Sequence, residues 1–112
     1  MELNGVDSWL TIDEVAQQLG VSASKVRRLI EEYVLFSVRR DKQPMVPAHL
    51  IQNGEPLASI RGTLILLHDN GMSDEESIEW LYQHNAELGA IPIYELIKGH
   101  KAPVRRAAQT LG

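Results

Sequence analysis

The chain has 112 residues, a formal net charge of −4 and no cysteine. That length suits one hydrophobic core of ordinary size and needs no covalent staple. The missing cysteine excludes disulfides, thiolate metal sites and cysteine nucleophiles. No apolar run approaches the ~20 residues that would cross a bilayer, and "MELNGVDSW" lacks the basic start and apolar stretch of a signal peptide, so a cytoplasmic protein with no membrane partner is expected.

The first helix is announced by "LTIDEVAQQLG". Thr11 is placed to cap and Glu14 to close a capping box, while Ile12, Val15, Ala16 and Leu19 recur at helical spacing. Gly20 is the expected stop. A second helix follows over residues 22–32, with Ser22 as its cap and Val26, Leu29, Ile30 and Tyr33 facing inward. Residues 35–47 read as a β-hairpin: Phe36 and Val38 alternate with Leu35, Ser37 and Arg39, and "DKQ" is a polar turn. The second strand is expected to be short, because Pro44 and Pro47 cannot donate to a ladder. "NGEP" at 53–56 is a turn and the natural boundary between a region of residues 1–54 and one of residues 55–112.

The second half reads as helical throughout. "RGTLILLHDNG" is apolar on nearly all sides, with Leu64, Ile65, Leu66 and Leu67 in succession, and should be a buried central helix. Asn70-Gly71 ends it. Ser73 and Glu76 stand in capping-box register, and Asp74 and Glu75 suit the positive end of the helix dipole. Ile78, Leu81 and Tyr82 give that helix an inner face, with Trp80 at its edge. Pro92 opens the next helix and Gly99 closes it. Val104, Ala107, Ala108 and Leu111 share one face of a last helix.

Two short helices joined by a glycine turn raise the helix-turn-helix pattern. Ala16 is the small residue where the helices would cross, Gly20 permits the turn, and Val15, Leu19, Val21, Val26 and Leu29 would fill the angle. The charge distribution agrees. Between Lys25 and Lys42 there are six basic residues against three acidic ones, in a chain that is acidic as a whole. Ser22, Ser24, Lys25, Arg27 and Arg28 would face outward from the start of the second helix, the part that enters the major groove. The serines and the helix N-terminus favour phosphate, and arginine can bond guanine with two donors. A competing use for Arg28 is a helix-surface pair with Glu31 or Glu32. Helix, turn, helix and hairpin is the winged-helix order, which sets Arg39, Arg40 and Lys42 at the wing tip, on phosphate backbone or in the minor groove.

On these residues the chain resembles excisionase-like and MerR-like regulators. Over "LGVSASKVRRLI", "VRRDKQPMVP", "RGTLILLHDNGMSDEESIEWLY" and "PIYELIKGHKAPVRRAAQTL" it looks like a small actinobacterial family of winged-helix DNA-binding proteins. The resemblance implies a mainly α fold: a winged helix-turn-helix with a small hairpin wing and a helical C-terminal extension packed on it. It implies a double-stranded DNA partner and a role in transcription regulation. A homodimer or a protein partner through the C-terminal helices is left open. "EWLYQHNAELGAIPIYELIKGHKAPV" also looks like the toxin-binding domain of a class of antitoxins, which would make Trp80, Leu88 and Tyr94 the partner surface.

Other signals point elsewhere less well. His49, His68, His84 and His100 are widely spaced, so no metal site is expected. Asp74, Glu75, Glu76 and Glu79 read as a solvated helix-start cluster rather than a cation site. Arg105 and Arg106 read as a solvated helix face with a phosphate contact as the alternative. No phosphate loop or nucleophile motif is present, so neither catalysis nor a cofactor is expected.

Overall fold

Thr11 starts the first helix by local chemistry. Its hydroxyl accepts from the Glu14 N–H at 3.1 Å, and the Glu14 carboxylate accepts from the Thr11 N–H at 2.8 Å. In the computed structural model, which describes residues 2–110, the chain falls into two units. One is Gly5–Leu57; the other combines the residues before Gly5 with those after Leu57.

The first unit runs β1 (Trp9–Thr11), α1 (Ile12–Leu19), α2 (Ala23–Glu31), β2 (Val38–Arg40), β3 (Gln43–Pro47), a 3-10 turn at Ala48–Leu50, β4 (Ile51–Gln52) and β5 (Glu55–Pro56). Gly20 ends α1 at φ 70°, a left-handed conformation that an L side chain resists. The Val21 N–H bonds to the Ala16 carbonyl at 3.0 Å and the Gly20 N–H to Gln17 at 3.3 Å, which completes a Schellman turn. Val15 and Val26 are fully buried where the two helices meet, and Ala16 is buried beside them. Leu19 and Leu29 are half-buried. Val21 departs from expectation: it is 36% exposed and does not fill the helix angle. It leads directly into the Ser22 cap, where the chain stands away from the core.

α2 also ends in a Schellman turn. The Val34 N–H reaches the Leu29 carbonyl at 2.9 Å and the Tyr33 N–H reaches Ile30 at 3.1 Å. Here the left-handed position is Tyr33, at φ 65°. Leu35 and Phe36 are then buried and fix the exit of the chain toward the hairpin.

The hairpin forms, but its second strand is not short. β3 has five residues and is the centre of a three-stranded antiparallel sheet of order β1-β3-β2. Trp9 pairs with Pro47 on one side, and Arg39 with Pro44 on the other. The two prolines fit because ladder bonds alternate sides. The Ala48 N–H bonds to the Ser8 carbonyl at 3.0 Å, so even-numbered residues of this stretch face β1 and odd-numbered ones face β2. The Pro44 nitrogen therefore faces β1 beyond its end at Thr11, and the Pro47 nitrogen faces β2 before its start at Val38. Neither proline removes a bond the sheet would have made. "NGEP" belongs to a second hairpin, with Ile51 opposite Pro56 and Gln52 opposite Glu55 around Asn53-Gly54.

The second unit contains α3 (Ile60–Asp69), α4 (Asp74–Tyr82), α5 (Pro92–Ile97) and α6 (Lys101–Gln109). Its core includes Ile60, Leu64, Leu67, Ile78, Leu81, Tyr82, Ile93, Leu96, Val104 and Ala108. Ile65 and Leu66 are only half-buried, so α3 is amphipathic rather than apolar all round. Ser73 caps α4 and forms the expected box with Glu76, which holds the Glu76 carboxyl below its ordinary pKa. Asp74 is exposed, as expected of the helix-start cluster, and its carboxylate also lies 2.9 Å from His68 Nε2, while His68 Nδ1 lies 2.8 Å from the Met72 carbonyl. The Asn4 side chain donates to the Tyr82 carbonyl at 2.8 Å, and the Tyr94 hydroxyl donates to the Asn4 carbonyl. Leu111 lies outside the described residues. No described helix is long and apolar enough to cross a membrane.

Candidate nucleic-acid interface

Ser22 caps α2, its hydroxyl accepting from the Lys25 N–H at 3.1 Å. Ser24 and Lys25 follow in the first turn, Arg27 in the middle of the helix and Arg28 in its last turn, and all are exposed. Val26 between them is fully buried, which orients the helix and leaves its charged residues on the outside. Arg39 and Arg40 lie on β2, and Lys42 is the second residue of the turn after it. These three are exposed as well.

The helix and the wing come together at a shallow cleft of about 170 Å³ lined by Thr11, Ile12, Asp13, Arg27, Gln43 and Pro44. Arg27 thus stands between the start of α1 and the wing strand β3, whereas Arg28 is not among the lining residues. The Arg28 pairing with Glu31 or Glu32 does not form. Among the described residues no carboxylate lies within ion-pair distance of Lys25, Arg27, Arg28, Arg39, Arg40 or Lys42. Arg40 has a different neighbour: its guanidinium carbon sits 4.4 Å from the centroid of the Trp9 ring. Trp9 and Gln43 are the residues that sequence reasoning did not single out. Gln43 adjoins the tip, and the Trp9 contact depends on a strand pairing that no local pattern reveals.

All six Lys and Arg side chains of the Gly5–Leu57 unit lie on α2 or on the wing. Burial holds the His49 imidazole below its ordinary pKa, so it adds no positive charge elsewhere in the unit at neutral pH. The surface has no described cluster of three or more metal-ligating side chains. It offers a helix end, a set of unpaired cations and a strand turn, which together can grip phosphates and read base edges.

In the second unit, Trp80 and Leu88 are half-buried, and Tyr94 is engaged within the unit, edge-on to Tyr82 with ring centroids 6.3 Å apart. Arg105 and Arg106 are exposed on α6, and Arg105 reaches toward Gly62 of α3.

Comparison with known proteins covers both units. Residues 3–51 match the family described as "DNA-binding protein Rv2175c, wHTH domain", and residues 57–112 match "Rv2175c C-terminal domain of unknown function". Neither match supports the antitoxin alternative. The curated protein "DNA-binding protein Rv2175c" of Mycobacterium tuberculosis is 36% identical over 78 residues, which is 69% of this chain and 53% of the relative. The chain spans about half the length of that curated relative. The solved NMR structure of Rv2175c superposes with a TM-score of 0.85 at 29% identity, covering 99% of this chain and 85% of the other. The exposed cations on a winged helix-turn-helix, the two consecutive matches and the mycobacterial relative agree with the actinobacterial resemblance: the chain belongs to the Rv2175c family, with a winged helix-turn-helix domain followed by the family's C-terminal domain.

Proposed function

We propose that this protein binds double-stranded DNA and acts as a transcriptional regulator, without catalysis. α2 enters the major groove, where Arg27 and Arg28 read base edges and Ser22, Ser24 and Lys25 meet phosphate. The wing at residues 35–47 lies on the backbone or the adjacent minor groove through Arg39, Arg40 and Lys42. The observation that carries this reading is the confinement of every Lys and Arg of the winged unit to α2 and the wing, all exposed and none ion-paired. The name of the relative, "DNA-binding protein Rv2175c", supports it.

The net charge of −4 means that binding depends on local charge, so affinity should fall steeply with salt. The test is selection of bound sequences from a random duplex pool at fixed salt, followed by gel-shift titration. Arg27→Ala or Arg28→Ala should weaken binding to a selected site by about 1–3 kcal/mol and relax preference at the contacted base. Unchanged binding by both variants overturns the placement of α2. A protein that binds no duplex at any salt overturns the reading as a whole.

A further inference from the structure

We propose that Trp9 is a positioning residue for Arg40, fixing the wing arginine for a DNA phosphate before DNA arrives; this rests on the DNA-binding reading above. Trp9 is in β1 and Arg40 in β2, on opposite edges of the sheet. Side-chain alternation brings them to the same face. Trp9 is paired with Pro47 and Arg40 with Gln43, and those two β3 residues lie four apart with Met45 between them. The contact spans the whole width of the sheet. The guanidinium carbon is 4.4 Å from the ring centroid, inside the ~6 Å range in which an aromatic face attracts a cation.

This contact leaves the arginine chemically free. A ring face attracts the charge but accepts none of the guanidinium N–H groups in the way a carboxylate would. Among the described residues, no hydrogen bond or ion pair occupies those donors. The planar fork that matches phosphate with two bonds is available, on a side chain whose rotamer freedom is already reduced. Arg39 and Lys42 differ. Arg39 points to the other sheet face, Lys42 sits in the turn, and neither has an aromatic partner among the described residues. The wing thus carries one cation held against a ring beside two without such a contact.

Binding of the full chain to one fixed duplex, measured across a salt series, separates positioning from charge. Trp9→Leu leaves every cation in place, so affinity should drop on the order of fivefold while the slope of log K against log salt stays the same. Arg40→Ala should lower both affinity and slope, the slope by about 1. The double variant should bind no more weakly than Arg40→Ala alone. Trp9→Phe keeps an aromatic face and should recover most of the loss. If Trp9→Leu fails to fold by circular dichroism, the same cycle run with Trp9→Met, which also removes the aromatic face, decides, and zero coupling to Arg40 overturns the proposal. Parent-like binding by Trp9→Leu also overturns it, as does a Trp9→Leu loss that persists in full in the Arg40→Ala background. If Arg40→Ala changes nothing while Arg27→Ala weakens binding, the positioning role fails and the DNA-binding reading stands. If the parent binds no duplex, it is the reading that fails.

Discussion

The first unit holds two hairpins that close in the same way and differ in what they close with. In each, a two-residue turn has both residues at positive φ: 50° and 67° at Asp41 and Lys42, 54° and 76° at Asn53 and Gly54. That sign pattern matches the twist of the flanking strands, and Asn-Gly suits it best. Lys42 does not suit it, since a side chain with a Cβ resists the left-handed region by roughly 1–2 kcal/mol. The relaxed turn carries no cation. The strained turn puts one at the outermost point of the wing, beside Arg39 and Arg40. Backbone strain of this kind is usually kept where a side chain is needed for function. The difference suggests that the wing turn is shaped for what it presents and the Asn53-Gly54 turn for folding.

Four variants break or sharpen that contrast. The largest effect is expected from replacing Arg39, Arg40 and Lys42 with alanine together. Three lost phosphate contacts should lower the salt slope of DNA binding by about 2–3, whereas Glu55→Gln in the other hairpin should leave it unchanged. An equal slope in parent and triple variant rules out the wing as a phosphate contact. Gly54→Ala places a Cβ at φ 76° and should reduce stability by about 1 kcal/mol in a denaturant titration, with duplex affinity unaltered. Lys42→Gly should give effects of opposite sign: stability up by as much as about 1 kcal/mol, affinity down through the lost charge. A variant that gains both would show that the lysine has no binding role.

The smallest effect lies outside both hairpins and serves as a control. Glu95 accepts from Lys98 at 3.2 Å and lies 3.2 Å from His100, and these two partners hold its carboxyl below the ordinary value. A carboxylate depressed in the folded state stabilises above its unfolded pKa, and that contribution is lost as pH falls through the folded pKa. Glu95→Gln should therefore flatten the acid side of the stability–pH curve slightly, and both hairpins should respond to pH as before.

The features legible in the sequence are those with local chemistry. The boxes Thr11–Glu14 and Ser73–Glu76, the stop at Gly20 and the proline start at Pro92 each depend on residues within a few positions of one another. The eight candidate DNA contacts were placed by helix phase and element order, and all eight side chains are exposed. What stayed hidden depends on distant partners or on unusual residues. β1 is three residues long and exists through pairing with a strand more than thirty positions away. Two prolines predict a short β3, yet its alternating register aims both nitrogens away from any partner. α2 ends on Tyr33 in a left-handed conformation that its residue type does not advertise. Val21 fits the apolar pattern of the helix angle but stands in the turn, exposed. The Trp9–Arg40 contact combines the first two difficulties, since it needs both β1 and the true centre of the sheet.

The strand order has a consequence for solubility. β2 is an outer strand, so one row of its backbone donors and acceptors has no partner in the sheet. Such a row is a template for another chain, and proteins commonly blunt it with short length and charge. β2 has three residues, and two of them are arginines. The same side chains proposed to hold DNA would repel a second copy of the strand. Neutralising them should expose an edge able to self-associate, so light scattering belongs beside every affinity measurement on the wing variants.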